Sequence, residues 1–401
     1  MNRYRRVDDA LHIGFDISQT GNGKAGCGFF AHALIKSLLE VDSGQRYSLF
    51  PSFGDFYFDP LMPLRNPYPG PRVQYGPRHA SRETARAFWS RPELETALDQ
   101  PDLIHANNYW CPIQLRSTRL VYTCYDFGFT IDPSWTTETN RAGCFEGVFR
   151  SSLAADWVLA VSNASRDDYL ACFPHFPAER IRVIHPSSRF TDTTLPGKRP
   201  KALSQIEGQD FWLSVGTLEP RKNHEMLVEA YAQYRAQGGK PMPLVLAGGR
   251  GWLMEHFSHH LTELGIAGDV IMTGYVTDDE LIWLYRHCFA NLYPSLFEGF
   301  GLPVLEGLQF GAATLSANTS SLPEVAGDAA ILLDPGAKDA WAAAMLAIAS
   351  NTAERHLFRD RAVKHAARFS WRSTARQVLE LYAEAIKTPK RPILAIKGVV
   401  H

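Results

Sequence analysis

The stretch Tyr293-Pro294-Ser295-Leu296-Phe297-Glu298-Gly299-Phe300-Gly301-Leu302-Pro303-Val304-Leu305-Glu306-Gly307 decides how this chain is built. An apolar run ends near Tyr293 and reads as a buried strand. Pro303 suits the N1 position of a helix, and Gly311 suits its C-terminal stop. Strand, glycine-bearing turn and helix, in that order, form the repeating unit of a parallel α/β sheet. Glu298 falls in the turn and Glu306 in the first helical turn.

The same alternation extends in both directions. After Tyr293 come strands over residues 313–316 and 330–333, and before it over 211–215, 244–247, 270–273 and 289–293. Nearer the start, Leu11-His12-Ile13-Gly14-Phe15-Asp16-Ile17 reads as a strand. Phe30, Ala33, Leu34, Ser37, Leu38 and Val41 then recur at helical spacing. Further strands are expected over residues 102–106, 120–124, 157–161 and 181–184, with Ser162 or Asn163 capping the helix after the third of these. The pattern lapses over residues 191–209, where Thr191-Asp192-Thr193-Thr194-Leu195-Pro196-Gly197 has linker composition. The expected fold is therefore α/β. Two tandem Rossmann-like, doubly wound domains, 1–195 and 210–371, face a cleft, and a final helix over 372–387 returns to the first.

Composition agrees with that plan and excludes others. The 401 residues suit two or three domains of about 150. With 45% hydrophobic and 21% charged residues the chain can bury ordinary cores, which rules out a disordered protein. Forty-one basic against 42 acidic residues leave a net charge of −1, so bulk nucleic-acid binding is not expected. The six cysteines form no C-x-x-C pair and read as buried thiols of a reducing compartment. No apolar run approaches the roughly 18 residues of a membrane span. A cytoplasmic protein is expected, with any membrane contact peripheral, on the inner face.

The chemistry concentrates in two loops. Gly216-Thr217-Leu218-Glu219-Pro220-Arg221-Lys222-Asn223 follows the strand at 211–215. Asn223 is placed to cap a helix whose apolar face includes Leu227, Ala230 and Tyr231. Two cations beside a helix N-terminus favour an anion such as a diphosphate, although solvated loop charges would read the same way. In the loop after residue 293, Gly299 and Gly301 let backbone N–H groups approach a ligand. Glu298 and Glu306 can each accept from the neighbouring hydroxyls of a sugar; acids stationed near a helix N-terminus for dipole reasons are the alternative.

Glu298 and Glu306, with seven residues between them inside Glu-Gly-Phe-Gly-Leu-Pro-Val-Leu-Glu, resemble the signature of retaining glycosyltransferases of the GT-B fold, family 4. The segment from Gly216 to His224 resembles the phosphate loop of that family, and Tyr275-Val276-Thr277-Asp278-Asp279-Glu280-Leu281 its base-binding loop. The resemblance implies that Glu306 holds the ribose and Glu298 faces the transferred sugar. It also implies that Gly299, Phe300, Gly301 and Leu302 touch sugar and phosphate, that Arg221 and Lys222 neutralise the leaving diphosphate, and that Gly216, Thr217, Tyr275 and Val276 complete the donor site. Many members carry Gly-Arg where this chain has Gly216-Thr217, which shifts the phosphate burden onto Arg221. The implied reaction moves a hexose from a nucleotide-diphospho-sugar, with retention and without metal or other cofactor. Arg221, Lys222 and a helix N-terminus would supply the charge.

In the first domain, Tyr125-Asp126 stands where many members have His-Asp. It resembles a subset associated with mannosyl and rhamnosyl transfer to polysaccharide chains, which makes GDP-mannose the first expected donor and UDP-glucose or dTDP-rhamnose the others. Tyr125 could donate to a sugar or phosphate oxygen; Asp126 reads equally as a loop cap. Gly21-Asn22-Gly23-Lys24-Ala25-Gly26 matches G-x-G-x-x-G, but the loop is too long for a tight dinucleotide turn, with the helix expected from Gly28. Within the resemblance this loop, with Gly26 and Gly28, meets a saccharide or lipid-linked saccharide acceptor. Asn108 and Tyr109 would line the acceptor, or else sit in the core. Arg78, Arg82, Arg86 and Arg91, near Phe88 and Trp89, form a basic segment suited to an anionic lipid surface or to plain solvation. The rival readings are an epimerase or phosphorylase of the same fold, and a nicotinamide-dependent oxidoreductase with Glu40 or Asp42 holding the ribose.

Overall fold

The computed structural model describes residues 10–21, 24, 26–42, 44–55, 68–249, 251 and 256–394. Met1 to Arg6, and Asn22, Gly23 and Ala25 of the glycine loop, lie outside the described residues. The chain divides into two units. One takes in the described residues up to Thr130, Thr137–Pro186 and the chain from Trp371. The other takes in Ile131–Thr136 and Ser187–Ser370.

The first unit is built on β1 (His12–Asp16), β2 (Arg46–Phe50), β3 (Val73–Tyr75), β4 (Leu103–Ala106), β5 (Arg119–Cys124), β6 (Trp157–Ala160) and β7 (Ile181–Val183). They pair in parallel in the order β3-β2-β1-β4-β5-β6-β7. Strands such as β4, β5 and β6 are apolar almost throughout because helices cover both faces of a parallel sheet. Neither β2 nor β3 was among the expected strands. The helix Gly26–Val41 buries Phe30, Leu34, Ile35 and Leu38 on one face. It packs against the last helix, Trp371–Lys387. That helix is pinned to this unit by Tyr382, whose hydroxyl lies 2.6 Å from His105 Nδ1, and by Thr374, which donates to the His185 carbonyl at 2.7 Å.

The second unit contains β8 (Trp212–Val215), β9 (Leu244–Ala247), β10 (Val270–Gly274), β11 (Ala290–Tyr293), β12 (Thr314–Ala317) and β13 (Ala330–Leu333). Their order is β10-β9-β8-β11-β12-β13, again parallel. In both sheets the chain first winds outward one way and then restarts on the other side. The reversal falls between β1 and β4 in the first unit and between β8 and β11 in the second. Ligands of doubly wound sheets bind outside the carboxyl ends of the strands at such a reversal, so the loops after β8 and β11 occupy the privileged position.

Four expectations change. The chain passes from one unit to the other between Pro186 and Ser187. Phe190, Leu203 and Ile206, within or beside the expected linker, are buried in the second core, because their apolar side chains find a seat against Phe211 and Tyr285. Asn223 does stand at the helix boundary, but in the left-handed region with φ 59° and without a side-chain cap bond. Its amide donates instead to the Pro294 and Pro335 carbonyls, at 3.1 and 2.8 Å. The helix after β11 runs over Leu302–Gln309, which makes Pro303 its second residue and moves Glu306 into the second turn. All six cysteines are free, and Cys172 is exposed rather than buried.

Candidate active site

The loop after β8 turns once over Pro220–Lys222 before the helix His224–Ala236 begins. Its two cations point to the loop after β11. Lys222 Nζ donates to Glu298 Oε1 at 2.6 Å and to the Tyr293 hydroxyl at 2.9 Å. Arg221 reaches Glu298 Oε2 at 2.9 Å, the Phe297 carbonyl at 2.7 Å and Glu219 Oε1 at 2.7 Å. Tyr293 and Ser295 also donate to Glu298 Oε1, at 2.8 and 2.6 Å. Two glutamates therefore balance two cations in a nearly closed cluster. Burial alone would raise the Glu298 carboxyl, but Arg221, Lys222 and the hydrogen bonds hold it down at about 2. Burial, reinforced by Arg221, lowers Lys222. His224 behind it is held neutral by burial and by Lys222, with its pKa lowered to about 3.

The loop that carries Glu298 is held from β12's side of the sheet. The Glu298 amide donates to Ser320 Oγ at 2.8 Å, and Ser321 Oγ donates to the carbonyls of Glu298 and Phe300 at 2.8 and 2.9 Å. Gly301 caps the next helix at φ 104°. A Cβ there would be strained by that φ and would come within 2.6 Å of Leu322 Cδ2. The Phe300 ring is buried, edge-on to Phe369. One helical turn on, Glu306 is fully buried. Its oxygens accept from Arg189 Nε at 2.7 Å and from the Tyr285 hydroxyl at 3.2 Å. At the end of β10, the Tyr275 ring is 78% exposed, while Val276 packs on the core. Thr277 caps the helix Asp278–His287 through a capping box with Glu280.

The structure thus brings Arg221, Lys222 and Glu298 together, with Gly216 and Thr217 on the same loop as the cations. Glu306 is held in a separate pair. The residues singled out in the first unit are mostly committed to its own architecture. The Tyr125 hydroxyl donates to the Asn107 carbonyl at 2.9 Å. Asp126 accepts from the Gly128 amide at 3.1 Å as a turn cap. Asn108 is fully buried and donates to Ser18 Oγ at 2.9 Å. Tyr109 packs edge-on against Phe129 in the core. The Asn108 Nδ2 is spent on Ser18, whereas its Oδ1 is buried without a hydrogen-bond partner among the described residues. Gly26 and Gly28 lie in the first turn of their helix. At Gly28 a Cβ would fall 2.1 Å from the Gln19 carbonyl oxygen, so this glycine serves a close packing contact. The same geometry disfavours the oxidoreductase reading. Asp42 is spent on the Gly44 amide and the Tyr47 hydroxyl, and β2 ends on Phe50 with no carboxylate for a ribose.

Residues that sequence reasoning missed are Arg189, Tyr285, Ser320 and Ser321 at the second reversal, and Asp16 at the first. Asp16 ends β1, accepts from the Ser18 and Asn107 amides, and is pushed up to about 7 by burial. Its place at the end of the first apolar run was the available signal.

Two doubly wound units, the second carrying a carboxylate–cation cluster at its strand reversal, define the architecture of GT-B glycosyltransferases. Solved structures share the fold. HepE of Anabaena, crystallised with UDP and glucose, superposes with a TM-score of 0.68 at 18% identity, over 93% of this chain and 100% of that one. Sucrose-phosphate synthase of Thermosynechococcus elongatus gives 0.70 at 19%, over 93% and 98%. The pattern described as Glycosyltransferase Family 4 matches residues 47–187, and that described as Glycosyl transferases group 1 matches residues 198–365. Among curated relatives, O-antigen chain mannosyltransferase B of Escherichia coli is 32% identical over 75% of this chain and 79% of its own length. The serotype-specific mannosyltransferase WbdA of Escherichia coli is 32% identical over 62% of this chain and 28% of its own length. The chain belongs to glycosyltransferase family 4.

Proposed function

We propose that this glycosyltransferase moves mannose from GDP-mannose onto a saccharide or lipid-linked saccharide during surface polysaccharide assembly, with retention at the anomeric carbon and without a metal ion. The observation that carries the chemistry is the convergence of Arg221 and Lys222 on Glu298 at the reversal between β8 and β11. A departing diphosphate needs positive charge that is already in place, and these two side chains, 22% and 12% exposed, can shift part of their hydrogen bonding from Glu298 to phosphate oxygens. Glu298, kept ionised, then faces the transferred sugar. Glu306 holds the ribose, and the exposed Tyr275 ring is free to stack on the base. The mannosyl assignment rests on the two Escherichia coli mannosyltransferases.

Peripheral membrane contact belongs to the same reading. Among the described residues no helix is long and apolar enough to cross a membrane. The helix Arg82–Trp89 buries Phe88 and Trp89 and turns Arg82 and Arg86 outward, with Arg86 paired to Asp55 and Arg91 stacked over Phe88. Co-sedimentation with anionic vesicles is expected to fall in an Arg82→Glu, Arg86→Glu variant; unchanged binding removes the membrane contact.

The transferase reading is tested by offering an oligomannose acceptor GDP-mannose, UDP-glucose or dTDP-rhamnose in the presence of EDTA. Transfer from GDP-mannose, with an α-linked product by NMR, is expected. Preference for another donor replaces the sugar assignment. An inverted product or an EDTA-abolished reaction contradicts the mechanism.

A further inference from the structure

Glu306 is enclosed, and three groups face its carboxyl: Arg189 on Oε1, Tyr285 on Oε2, and Asp278 at longer range. Tyr285 is itself fully buried in the helix Asp278–His287. Arg189 comes from neither a strand nor a helix. It lies shortly after the chain enters the second unit, 117 residues before Glu306. The segment around it is nonetheless fixed. The Phe190 amide donates to Ser188 Oγ at 3.1 Å, and the Phe190 carbonyl accepts from Gln309 Nε2 at 2.7 Å. The guanidinium also stands 3.6 Å from Asp278, which opens the helix next to Tyr275 and Val276. It therefore links the carboxylate expected to hold the ribose with the segment expected to hold the base.

A ribose diol needs two acceptor oxygens, which an ionised carboxylate offers and a protonated one does not. A fully buried, unpaired carboxyl would take up a proton. We infer that Arg189 is a positioning residue for donor recognition: it keeps Glu306 an ionised acceptor in its buried seat and ties it to the segment at Asp278. This rests on the reading of Glu306 as the ribose ligand. When a sugar hydroxyl takes the place of Nε–H on Oε1, Asp278, more than half exposed, offers the guanidinium its second carboxylate. Burial raises the Glu306 carboxyl and Asp278 adds to the rise, while Arg189 and Tyr285 pull it back. Without Arg189 the restraint on that rise is lost, and protonation reaches closer to neutral pH.

The test is calorimetric titration of whichever of GDP, UDP and dTDP binds tightest. It is run on the wild type, Arg189→Gln, Arg189→Lys, Glu306→Gln and the double variant Arg189→Gln, Glu306→Gln. Arg189→Gln is expected to weaken binding about tenfold at about pH 6 and progressively less toward about pH 9. Arg189→Lys restores most of the affinity. The double variant binds like Glu306→Gln alone, because an amide has no charge left to maintain. Additive losses in the double variant, or a loss in Arg189→Gln that does not vary with pH, overturn the inference. Should Arg189→Gln fail to fold, Arg189→Met carries the test on the same terms: wild-type affinity in it at about pH 6, or a loss that does not vary with pH, overturns the inference. If Glu306→Gln alone binds normally, the ribose reading fails first, and that outcome is distinct from failure at Arg189.

Discussion

The Glu298 carboxylate meets Arg221, Lys222, Tyr293 and Ser295, while Ser320 accepts from its amide and Ser321 donates to its carbonyl. Such a group is held in one orientation, which is what a charge facing a reacting sugar requires. Replacing it by Gln keeps the shape and removes the charge. Steady-state kinetics on Glu298→Gln are expected to show kcat reduced by about 10²–10³ with KM for the donor changed far less. A donor KM that rises while kcat stays constant would reassign Glu298 to binding. The same ion pairs have a signature in stability. The folded carboxyl sits at about 2 against an ordinary 4.5. Its contribution is therefore complete above the ordinary value and is lost as pH falls toward the folded one. In denaturant titrations the stability gap between wild type and Glu298→Gln is expected to shrink through that acid window. A gap that stays constant there would mean that the ion pairs contribute nothing.

At the scale of elements, the loop after β11 works because Gly301 starts the helix Leu302–Gln309 in a left-handed conformation under Leu322. Gly301→Ala is expected to cost about 1–3 kcal/mol in chemical denaturation and to displace Glu298 and Glu306 together. Unaltered stability and activity would show that the turn tolerates a side chain. This helix and the strands of the second unit were readable in the sequence. Fully apolar runs such as Leu244–Ala247 and Ala330–Leu333 have the composition of strands covered on both faces, and the expected ends lie within a residue of those found. The first unit was harder to read. β2 mixes Arg46 and Ser48 among apolar residues, and β3 is a three-residue edge strand that is half-buried to exposed, so neither gave a run long enough to stand out. The pairs Glu298 with Lys222 and Glu306 with Arg189 join residues 76 and 117 positions apart. The first was reachable because both partners lie in loops with recognisable chemistry. The second was not, because Arg189 lies in a stretch with neither periodicity nor a motif. Tyr125, Asn108 and Tyr109 read as ligand contacts for the opposite reason. Polar and aromatic residues at a strand end suit a site or a satisfied core equally, and in this structure Tyr125 bonds to Asn107 and Asn108 to Ser18.

At the scale of the whole molecule, the near-zero net charge is an average over a surface and a few concentrated sites. It excludes a polyanion groove but not a diphosphate held by Arg221 and Lys222. The chain also returns to its first unit after Ser370, since Trp371–Lys387 belongs to it. A chain ending at Ser370 would leave the buried faces of Gly26–Val41 and β5 uncovered. Calorimetry on it is expected to lose the first unit's unfolding transition and keep the second's; two intact transitions would contradict the packing described. In the proposed reading, the reversal between β8 and β11 binds a nucleotide diphosphate through Arg221 and Lys222. The most direct measurement is titration calorimetry of GDP into the wild type and into Arg221→Gln. Binding that weakens about tenfold or more in the variant, with the fold intact by circular dichroism, is the expected result. Equal affinity in the two proteins would contradict it.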